Sequence, residues 1–217
     1  MKILILGATG RTGKFLVEYA LEKDFEVICL VRDPRKIKPR KGLTILQGNP
    51  IHKNDLENAL DGCQAVVSAL NISRNSDFPW AKLRTPRTYL SDVMQNVINL
   101  SKSTAVEHIV ICSAWGVLET RKEIPFWFRW MIDYSNIGVA YKDHERQEKV
   151  LENSKLHWTV IRPVGLINSK THQKVKESYV NSPKPSLLIS RRSVAKYMIE
   201  CLGNSGLFSK KVVISKA

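Results

Sequence analysis

Three glycines near the start of the chain have a spacing that suits contact with phosphate groups. Gly7, Gly10 and Gly13 follow the apolar run at residues 3–6 and precede a segment with helical spacing. Glycine lets a backbone turn sharply, approach a pyrophosphate closely and pack a helix against a strand. The helix that follows presents free N–H groups to an anion. This succession of strand, turn and helix predicts a dinucleotide-binding site.

The end of the second apolar run indicates which dinucleotide is bound. Residues 25–31 are followed by Arg32 and Asp33. In such folds a carboxylate at this point binds the ribose 2′-hydroxyl, whereas an arginine favours a 2′-phosphate. Arg32 can grip a phosphate with two N–H groups, and Arg35 and Lys36 add positive charge nearby. We therefore expect NADP(H) in preference to NAD(H), although a shift of one residue would bring Asp33 to the ribose and favour NAD(H).

Short apolar runs recur along the chain and alternate with segments of helical spacing. The runs lie at residues 2–6, 25–31, 43–46, 65–70, 108–112, 158–161 and 212–214. Continuous apolar strands separated by helices are typical of a parallel sheet that is covered on both faces. The sequence thus predicts an α/β fold, a Rossmann-like doubly wound parallel sheet with helices on both faces and a small C-terminal elaboration.

The predicted fold also indicates where a substrate would bind. We expect residues 1–217 to form a single NAD(P)-binding domain with the glycine turn at the carboxyl edge of the sheet. Segments 71–88 and 113–139 follow the fourth and fifth strands and are expected to be long loops that overhang the cofactor. The substrate cleft is accordingly expected to be formed by residues 71–88, 113–140 and 163–190.

Composition and charge narrow the possible partners. The net charge is +14, and six of the ten residues from 32 to 41 are basic. Such a run can attract a phosphorylated cofactor or simply form a solvated loop, and we favour the loop for all of it except Arg32. The motifs that usually accompany nucleic-acid binding are lacking, so a nucleic-acid partner is not expected.

No apolar stretch of the sequence is long enough to span a bilayer, and no signal peptide is evident. Four cysteines, Cys29, Cys63, Cys112 and Cys201, lie far apart without metal-ligand spacing, which indicates buried thiols in a reducing compartment. We therefore expect a cytoplasmic protein, a monomer or homodimer, with no metal site and no membrane partner.

With these motifs the chain resembles the atypical short-chain dehydrogenase/reductases, in particular the group that contains biliverdin reductase B, a flavin reductase, and the NmrA-like proteins. The resemblance extends over nearly the full length. It is carried by GATGRTG at 7–13, VRD at 31–33, QGN at 47–49, the serine of CSA at 112–114, DH at 143–144 before KVL at 149–151, and WTVIRP at 158–163.

The resemblance implies cofactor contacts at particular positions. These are Gly7, Thr9, Gly10, Arg11, Thr12 and Gly13 for the pyrophosphate, Arg32 for the adenosine phosphate, Gly48 and Asn49 for the adenine, Ala69 and Leu70 for the ribose next to the nicotinamide, and Pro163 and Val164 for the nicotinamide, with Ser113 nearby. The family usually has Asp where this chain has Asn49.

The resemblance also implies two candidate catalytic residues. Ser113 stands where relatives have an active-site serine, and its hydroxyl could hold or polarise an acceptor near the transferred hydride. The alternative is a serine that only caps the turn after a strand. His144 stands where biliverdin reductase B has a histidine, and an imidazole could supply a proton near neutral pH. A lone histidine at the start of a helix can equally be structural.

The Tyr-x-x-x-Lys pair of ordinary short-chain dehydrogenases is missing. Tyr141 is followed four residues later by Glu145, and Tyr134 by Gly138. A carboxylate raises the pKa of a nearby phenol, which opposes proton release. Oxidation of alcohols by the ordinary mechanism is therefore not expected, whereas hydride transfer to a flavin or quinone depends mainly on positioning.

Two functions remain open. The first is NADPH-dependent reduction of a flavin, quinone or similar small planar acceptor. The second is a non-catalytic NmrA-like redox sensor that binds NADP(H) and acts through a protein partner. The aromatic segment 126–130, with Trp80 and Trp115, could stack on a planar acceptor, or it could form an amphipathic helix that packs on the core or on a partner. Sugar-nucleotide epimerisation also occurs among such proteins, but the chain is short for a dedicated substrate domain.

Overall fold

Alternate residues of the first strand point to opposite faces of a sheet, and both sets are buried. The computed structural model describes residues 1–169 and 171–217. Ile3 and Ile5 pack into one apolar cluster, whereas Leu4 and Leu6 pack into another. A strand that is apolar at every position requires cover on both sides of its sheet. The core accordingly has two layers, one on each face of the central sheet.

The strands of the described residues follow the apolar runs of the sequence. They are β1 (Lys2–Leu6), β2 (Glu26–Val31), β3 (Leu43–Gln47), β4 (Ala65–Ser68), β5 (His108–Cys112), β6 (His157–Pro163), β7 (Gly165–Ile167), β8 (Val175–Ser178), β9 (Leu188–Ser190) and β10 (Lys210–Lys216). The central sheet has the order β3-β2-β1-β4-β5-β6-β10-β8. Its neighbours run parallel except β10 and β8, which are antiparallel, and β7 pairs with β9 in a separate two-stranded sheet.

Helices cover both faces of this sheet. They are α1 (Gly13–Glu22), α2 (Lys53–Leu60), α3 (Tyr89–Leu100), α4 (Phe126–Asp133), α5 (Ile137–Glu152) and α6 (Arg191–Glu200). Buried residues of α1 and α6 belong to the cluster of Ile3, and those of α2 and α3 belong to the cluster of Leu4. The doubly wound, mostly parallel α/β fold predicted from the sequence is confirmed.

The segment at 113–139 differs from the long loop that we expected, because it contains α4 and the start of α5. Phe128 and Ile132, four residues apart, turn toward the core, and the Phe128 ring lies 6.1 Å from that of Tyr141. The other aromatic residues of α4 make its outer side apolar as well, so the periodicity of the sequence does not mark an inner face. Segment 71–88 is a loop, as expected, apart from an isolated bridge between Arg74 and Leu83.

The C-terminal elaboration contains three short strands that the sequence analysis did not identify. β7 and β9 have three residues each and β8 has four. Runs of this length are too short to display a period of two. β8 closes the edge of the central sheet against β10, and the pair β7–β9 lies next to the end of β6.

One buried carboxylate joins two helices near the carboxyl edge of the sheet. Asp143 in α5 accepts the backbone N–H of Leu90 at 2.7 Å and the hydroxyl of Ser91 at 2.6 Å. Both donors lie in the first turn of α3, where N–H groups have no partner within the helix. This contact fixes the first half of α5, and therefore His144, relative to the sheet.

Within residues 1–169 and 171–217, no helix combines the length and the apolar character that crossing a bilayer requires. The same residues contain no group of three or more His, Cys, Asp or Glu side chains arranged to hold a metal ion. The four cysteines are free thiols. Burial raises the pKa of Cys29 to about 12 and, as the main cause, that of Cys63 to about 11, so both stay protonated at neutral pH.

Candidate cofactor and substrate site

The carboxyl ends of β1, β2, β4 and β5 surround a cavity of about 390 Å³, which we call the glycine-turn cavity. Its wall contains most of the positions that the resemblance assigns to the cofactor. These are Gly7, Thr9, Gly10, Arg11, Thr12, Arg32, Ala69, Leu70 and Ser113. They are far apart in the sequence, and the parallel sheet brings them to one edge.

The glycine turn is packed too tightly for larger residues. Gly7 has φ +82°, and a Cβ on it would lie 2.9 Å from the carbonyl carbon of Ala69. A Cβ on Gly13 would lie 2.0 Å from the carbonyl oxygen of Gly7. Gly13 thus lets α1 begin directly against the turn, and it lies beneath the cavity wall. Gly7 and Gly10 line the cavity itself.

Gly48 and Asn49 do not line the glycine-turn cavity, whereas their neighbour Pro50 and Tyr89 do. The Asn49 amide oxygen accepts the Tyr89 hydroxyl at 3.1 Å, and the Asn49 backbone N–H donates to Asp55 at 2.8 Å. Asn49 therefore positions Tyr89, a residue that the sequence analysis missed.

Arg32 and Asp33 take different directions at the end of β2. Arg32 lines the glycine-turn cavity. Asp33 instead caps the short turn after the strand, where it accepts the backbone N–H of Arg35 at 3.2 Å and its Nε at 2.9 Å. The side-chain hydrogen bond from Arg35 is the main cause that lowers the pKa of Asp33. The carboxylate that would have bound a ribose is thus occupied by its own neighbour.

Four arginines and one aspartate line the glycine-turn cavity. Besides Arg11 and Arg32, the loop after β4 contributes Arg74 and the start of α6 contributes Arg191. Arg11 forms a bidentate pair with Asp77, both N–O distances being 2.9 Å. The excess of positive charge favours an anionic ligand. Arg74 belongs to segment 71–88, which was expected to overhang the cofactor, whereas the sequence analysis did not identify Arg191.

A second cavity of about 270 Å³, the adjoining cavity, continues from the glycine-turn cavity. The two share lining residues that include Ser113, His144 and Arg191. Pro163 and Val164, at and after the end of β6, line only the adjoining part. Its apolar walls are completed by Trp115, Phe128, Tyr141 and Leu166. All three segments expected to form the substrate cleft contribute to these walls.

Ser113 belongs to a polar cluster, the Ser113 cluster, which also contains Glu148, Arg162, Glu119 and Lys211; Ser113, Glu148 and Arg162 are its buried members. The Ser113 hydroxyl donates to Glu148 at 2.5 Å. Arg162 donates to both oxygens of Glu148, at 3.1 and 2.5 Å, and at 2.5 Å to Glu119. Lys211 lies 3.8 Å from Glu148. Because Glu148 and Arg162 are almost fully buried, each charge depends on the other.

This cluster determines what Ser113 offers to a ligand. Its single O–H proton points to Glu148, so the oxygen presents acceptor lone pairs to the cavity. Glu148 was not identified from the sequence. A signal was present, however, because Tyr141, His144 and Glu148 stand at i, i+3 and i+7 on α5 and so share one helix face.

His144 is buried between the two cavities. Burial, as the main cause, lowers its pKa to about 4, so the imidazole is neutral at pH 7. Its Nδ1 atom has no hydrogen-bond partner among the described residues. The Nδ1 atom is itself shielded from solvent, so a ligand in either cavity would meet another part of the His144 ring.

Tyr141 does not replace the missing Tyr-x-x-x-Lys pair. Its hydroxyl lies 3.2 Å from the carbonyl of Trp115 and donates to it. The pKa of Tyr141 is raised, as expected, but burial causes the rise and not Glu145. Glu145 instead pairs with Lys149 at 2.9 Å.

The aromatic segment divides between inside and outside. Phe128 and Trp115 line the adjoining cavity. Phe126, Trp127 and Trp130, together with Trp80, are exposed. Stacking on an acceptor in the cavity is thus open to Phe128 and Trp115, while the exposed rings belong to the outer surface.

A doubly wound sheet, a glycine turn at its carboxyl edge and an arginine-lined cavity define a dinucleotide-binding protein. The family model described as NAD(P)H-binding matches residues 7–205, and the chain belongs to this family. The photosystem II assembly factor Ycf39 of Trieres chinensis is 29% identical over 203 residues, which cover 91% of this chain and 56% of that protein. Ycf39 of Synechocystis is 38% identical over 169 residues, which cover 77% and 45%. The chain thus spans about half the length of these relatives.

Solved structures share the fold over almost the whole chain. A short-chain dehydrogenase/reductase from Veillonella parvula in complex with NADP has a TM-score of 0.79 at 18% identity, covering 99% of this chain and 94% of its own. The anaerobilin reductase ChuY from Escherichia coli O157:H7 has a TM-score of 0.78 at 15% identity, covering 100% and 97%. Identities this low show a common fold, and the recognition of the family from sequence motifs is confirmed.

Proposed function

We propose that this protein is an NADPH-dependent reductase that transfers hydride from the bound nicotinamide to a planar acceptor such as a flavin or quinone. The observation that carries the proposal is the continuity of the two cavities. The glycine-turn cavity has the phosphate-binding turn and Arg32, and the adjoining cavity has apolar and aromatic walls next to Ser113 and His144. A nicotinamide bordered by Pro163 and Val164 would extend into the adjoining cavity, where a flat ring could stack against it.

The preference for NADPH rests on the different environments of two neighbouring residues. Arg32 lines the cavity, and no ion pair with it is found among the described residues, whereas Asp33 is held by Arg35. A guanidinium is suited to bidentate contact with a 2′-phosphate. The V. parvula structure with NADP, which has the same fold, is consistent with this choice.

In this proposal the chain positions the acceptor, and the cofactor supplies the chemistry when bound. Ser113 would accept a hydrogen bond from an N–H or O–H of the acceptor, because its own proton is given to Glu148. Neutral His144 would contact the acceptor through the part of its ring that lines the adjoining cavity. A pKa of about 4 favours this positioning role over proton supply by an imidazolium, which is scarce at neutral pH.

The direct test is oxidation of NADPH, followed at its absorbance maximum with a panel of flavins and quinones. We expect turnover above background with at least one planar acceptor. Ser113→Ala should lower kcat/KM by about tenfold, the range for loss of one hydrogen bond. Ser101→Ala, a serine at the far end of α3, is the matched control. Absence of NADPH oxidation across the panel would refute the proposal.

The second candidate is a non-catalytic NADP(H)-binding protein that acts through a protein partner. Both nearby hydroxyls already donate their protons within the protein, Ser113 to Glu148 and Tyr141 to the Trp115 carbonyl, so neither offers a proton to a substrate. This favours a protein that binds the cofactor without catalysis. The relatives named assembly factors fit such a role. Titrations with NADP⁺ and NADPH distinguish the two candidates, because a sensor should bind one form more tightly and show no turnover.

We further propose a reducing compartment such as the cytoplasm as the location of this protein. The four cysteines are free, and Cys29, Cys63 and Cys201 are buried. Buried thiols without a disulfide partner are typical of reducing compartments. Labelling of the protein taken from cells and then denatured, with and without prior reduction, tests whether the thiols are free in cells, because denaturation exposes the buried ones.

A further inference from the structure

Six exposed aromatic side chains form one surface on the outer side of α4 and the loop before α3. This surface, the aromatic face, consists of Phe78, Trp80, Phe126, Trp127, Trp130 and Tyr134, which are 46% to 76% exposed. Ring centroids are 5.3 Å apart for Phe78 and Trp80, 6.5 Å for Trp80 and Trp130, and 5.6 Å for Trp130 and Tyr134. Large exposed apolar patches on a folded protein mark interaction sites.

The aromatic face is held together by hydrogen bonds between its two segments. The indole N–H of Trp80 donates to the carbonyl of Tyr134 at 2.7 Å. Asn136 donates its backbone N–H to the carbonyl of Pro79 at 3.0 Å and its side-chain amide to those of Trp80 and Ala81, both at 3.1 Å. These hydrogen bonds hold the loop against the end of α4, so the rings keep a fixed arrangement relative to one another.

Helix α4 has an apolar side that the fold leaves without a partner. Its inner side is satisfied, because Phe128 and Ile132 pack into the core. Its outer side carries Phe126, Trp127 and Trp130, which stay more than half exposed although Trp80 of the loop packs against the edge of Trp130. Arg129 and Asp133 are the charged residues of α4, and three large aromatic rings remain exposed beside them. An exposed group of large apolar side chains indicates an interaction site, so we take the outer side of α4 as a candidate docking surface.

The chemistry of the aromatic face and its surroundings indicates which kind of partner it fits. Trp and Tyr, which combine an apolar ring with a polar N–H or O–H, are enriched where proteins meet the headgroups of a bilayer. Residues 75–87 and 121–136 contain six Lys or Arg and three Asp or Glu. Two of those acids, Asp77 and Asp133, are already paired with arginines. Together with the net charge of +14, this excess is complementary to an anionic surface.

We infer that the aromatic face docks on the surface of an anionic lipid bilayer, with its rings among the headgroups and the neighbouring basic residues on lipid phosphates. The expectation of no membrane partner came from the lack of a spanning segment, and surface docking requires none. Arg129 lies within α4 and Lys82 follows Ala81, so positive charge accompanies both segments of the aromatic face. The inference is independent of whether the protein turns over NADPH.

The test is sedimentation of the full chain with vesicles of phosphatidylcholine alone or with phosphatidylglycerol added. We expect at least about tenfold stronger partitioning onto the vesicles that contain phosphatidylglycerol. Trp127→Ser/Trp130→Ser should reduce that partitioning by about tenfold. The matched control is Val180→Asn/Leu187→Ser, which alters two exposed apolar residues elsewhere. NADPH binding by each variant verifies that it is folded.

Tryptophan fluorescence gives a second readout that is specific to this surface. Trp80, Trp127 and Trp130 belong to the aromatic face, whereas Trp115 and Trp158 are buried. Docking should shift the emission to shorter wavelength, and brominated lipids should quench it. Equal partitioning by the wild type and the Trp127/Trp130 variant would overturn the inference, as would failure to bind anionic vesicles at low salt. A lipid-free dimer that the same variant dissociates would also overturn it, because the occupant would then be a second copy.

Discussion

The arginine-rich wall of the glycine-turn cavity and the Ser113 cluster lie at the same sheet edge, but their charged groups are paired to different extents. Arg11, Arg32 and Arg191 face an open cavity, with Asp77 as the acid among its lining residues. In the Ser113 cluster, by contrast, the buried charges of Glu148 and Arg162 neutralise each other. The first region can therefore bind an anionic ligand. In the second region the charges are neutralised within the protein, and Glu148 holds the Ser113 hydroxyl in one orientation.

The largest expected effect is on stability, from breaking the Ser113 cluster. Glu148→Ala leaves the guanidinium of Arg162 buried without its main partner and should lower the free energy of unfolding by about 3–5 kcal/mol. Glu152→Ala, one turn further along α5 in a half-exposed pair with Lys211, should cost about 1 kcal/mol or less. Denaturant unfolding measures both. Equal losses in the two variants would show that the Ser113 cluster is not a mutually dependent pair.

The next effect is on cofactor affinity at the arginine-rich wall. Arg32→Ala should weaken NADPH binding by about 10- to 100-fold, the range for loss of a charged hydrogen-bonded contact, and should leave NADH nearly unchanged. Arg40→Ala is the matched control, because Arg40 is an exposed arginine of the same basic run that does not line the glycine-turn cavity. Isothermal titration gives the dissociation constants. A similar loss for NADH and NADPH would argue against contact with the 2′-phosphate.

A third effect concerns the pH dependence of stability at the buried histidine. Burial lowers the pKa of His144 from its usual value of 6.5 to about 4, so the unfolded chain binds the proton more readily. The contribution of neutral, buried His144 to the free energy of unfolding is therefore fully present above pH 6.5 and is lost as the pH falls toward 4. His144→Gln should therefore reduce the loss of unfolding free energy between pH 7.5 and 5 by about 2 kcal/mol at most.

His172→Gln is the control for that measurement, because His172 is exposed. His172→Gln should leave the pH dependence of unfolding as it is in the wild type. If His144→Gln also leaves it unchanged, His144 titrates normally and is accessible to water.

The smallest expected effect is on NADPH affinity when Asp77, the acidic residue of the arginine-rich wall, is changed. Asp77→Asn removes the negative charge that engages Arg11 and should tighten NADPH binding by about two- to threefold, since exposed ion pairs are weak. Asp133→Asn breaks the pair with Arg121 away from the glycine-turn cavity and should not change the affinity. Weaker binding by Asp77→Asn would mean that the pair orders the loop over the cofactor.

The fold was largely predictable because its signals are local. The seven apolar runs became seven parallel strands, and the glycine turn follows β1 as expected. The apolar run before Arg32 identified the end of β2. The short strands β7, β8 and β9 were missed because three or four residues cannot show a period. For segment 126–130 a helix was one of two alternatives left open, because aromatic residues on both its inner and its outer side hide the helical period.

The candidate site was predictable only where a residue stands next to a recognisable element. Ser113 and Arg32 directly follow strands, so the topology carries them to the sheet edge. Arg191 and Glu148 reach that edge on helices whose rotation the sequence does not fix. The proposed roles of these residues remain predictions for the experiments described above.

The sequence by itself determined the strands, the tight turn at Gly7 and Gly13, and the charge at Arg32, because each depends on residues that are neighbours in the chain. The tertiary structure decided the partners of the charged groups. Ser113 meets Glu148 across 35 positions and Arg11 meets Asp77 across 66, and no local pattern encodes such pairs. It also decided which side of α4 is buried, since that depends on what packs against the helix.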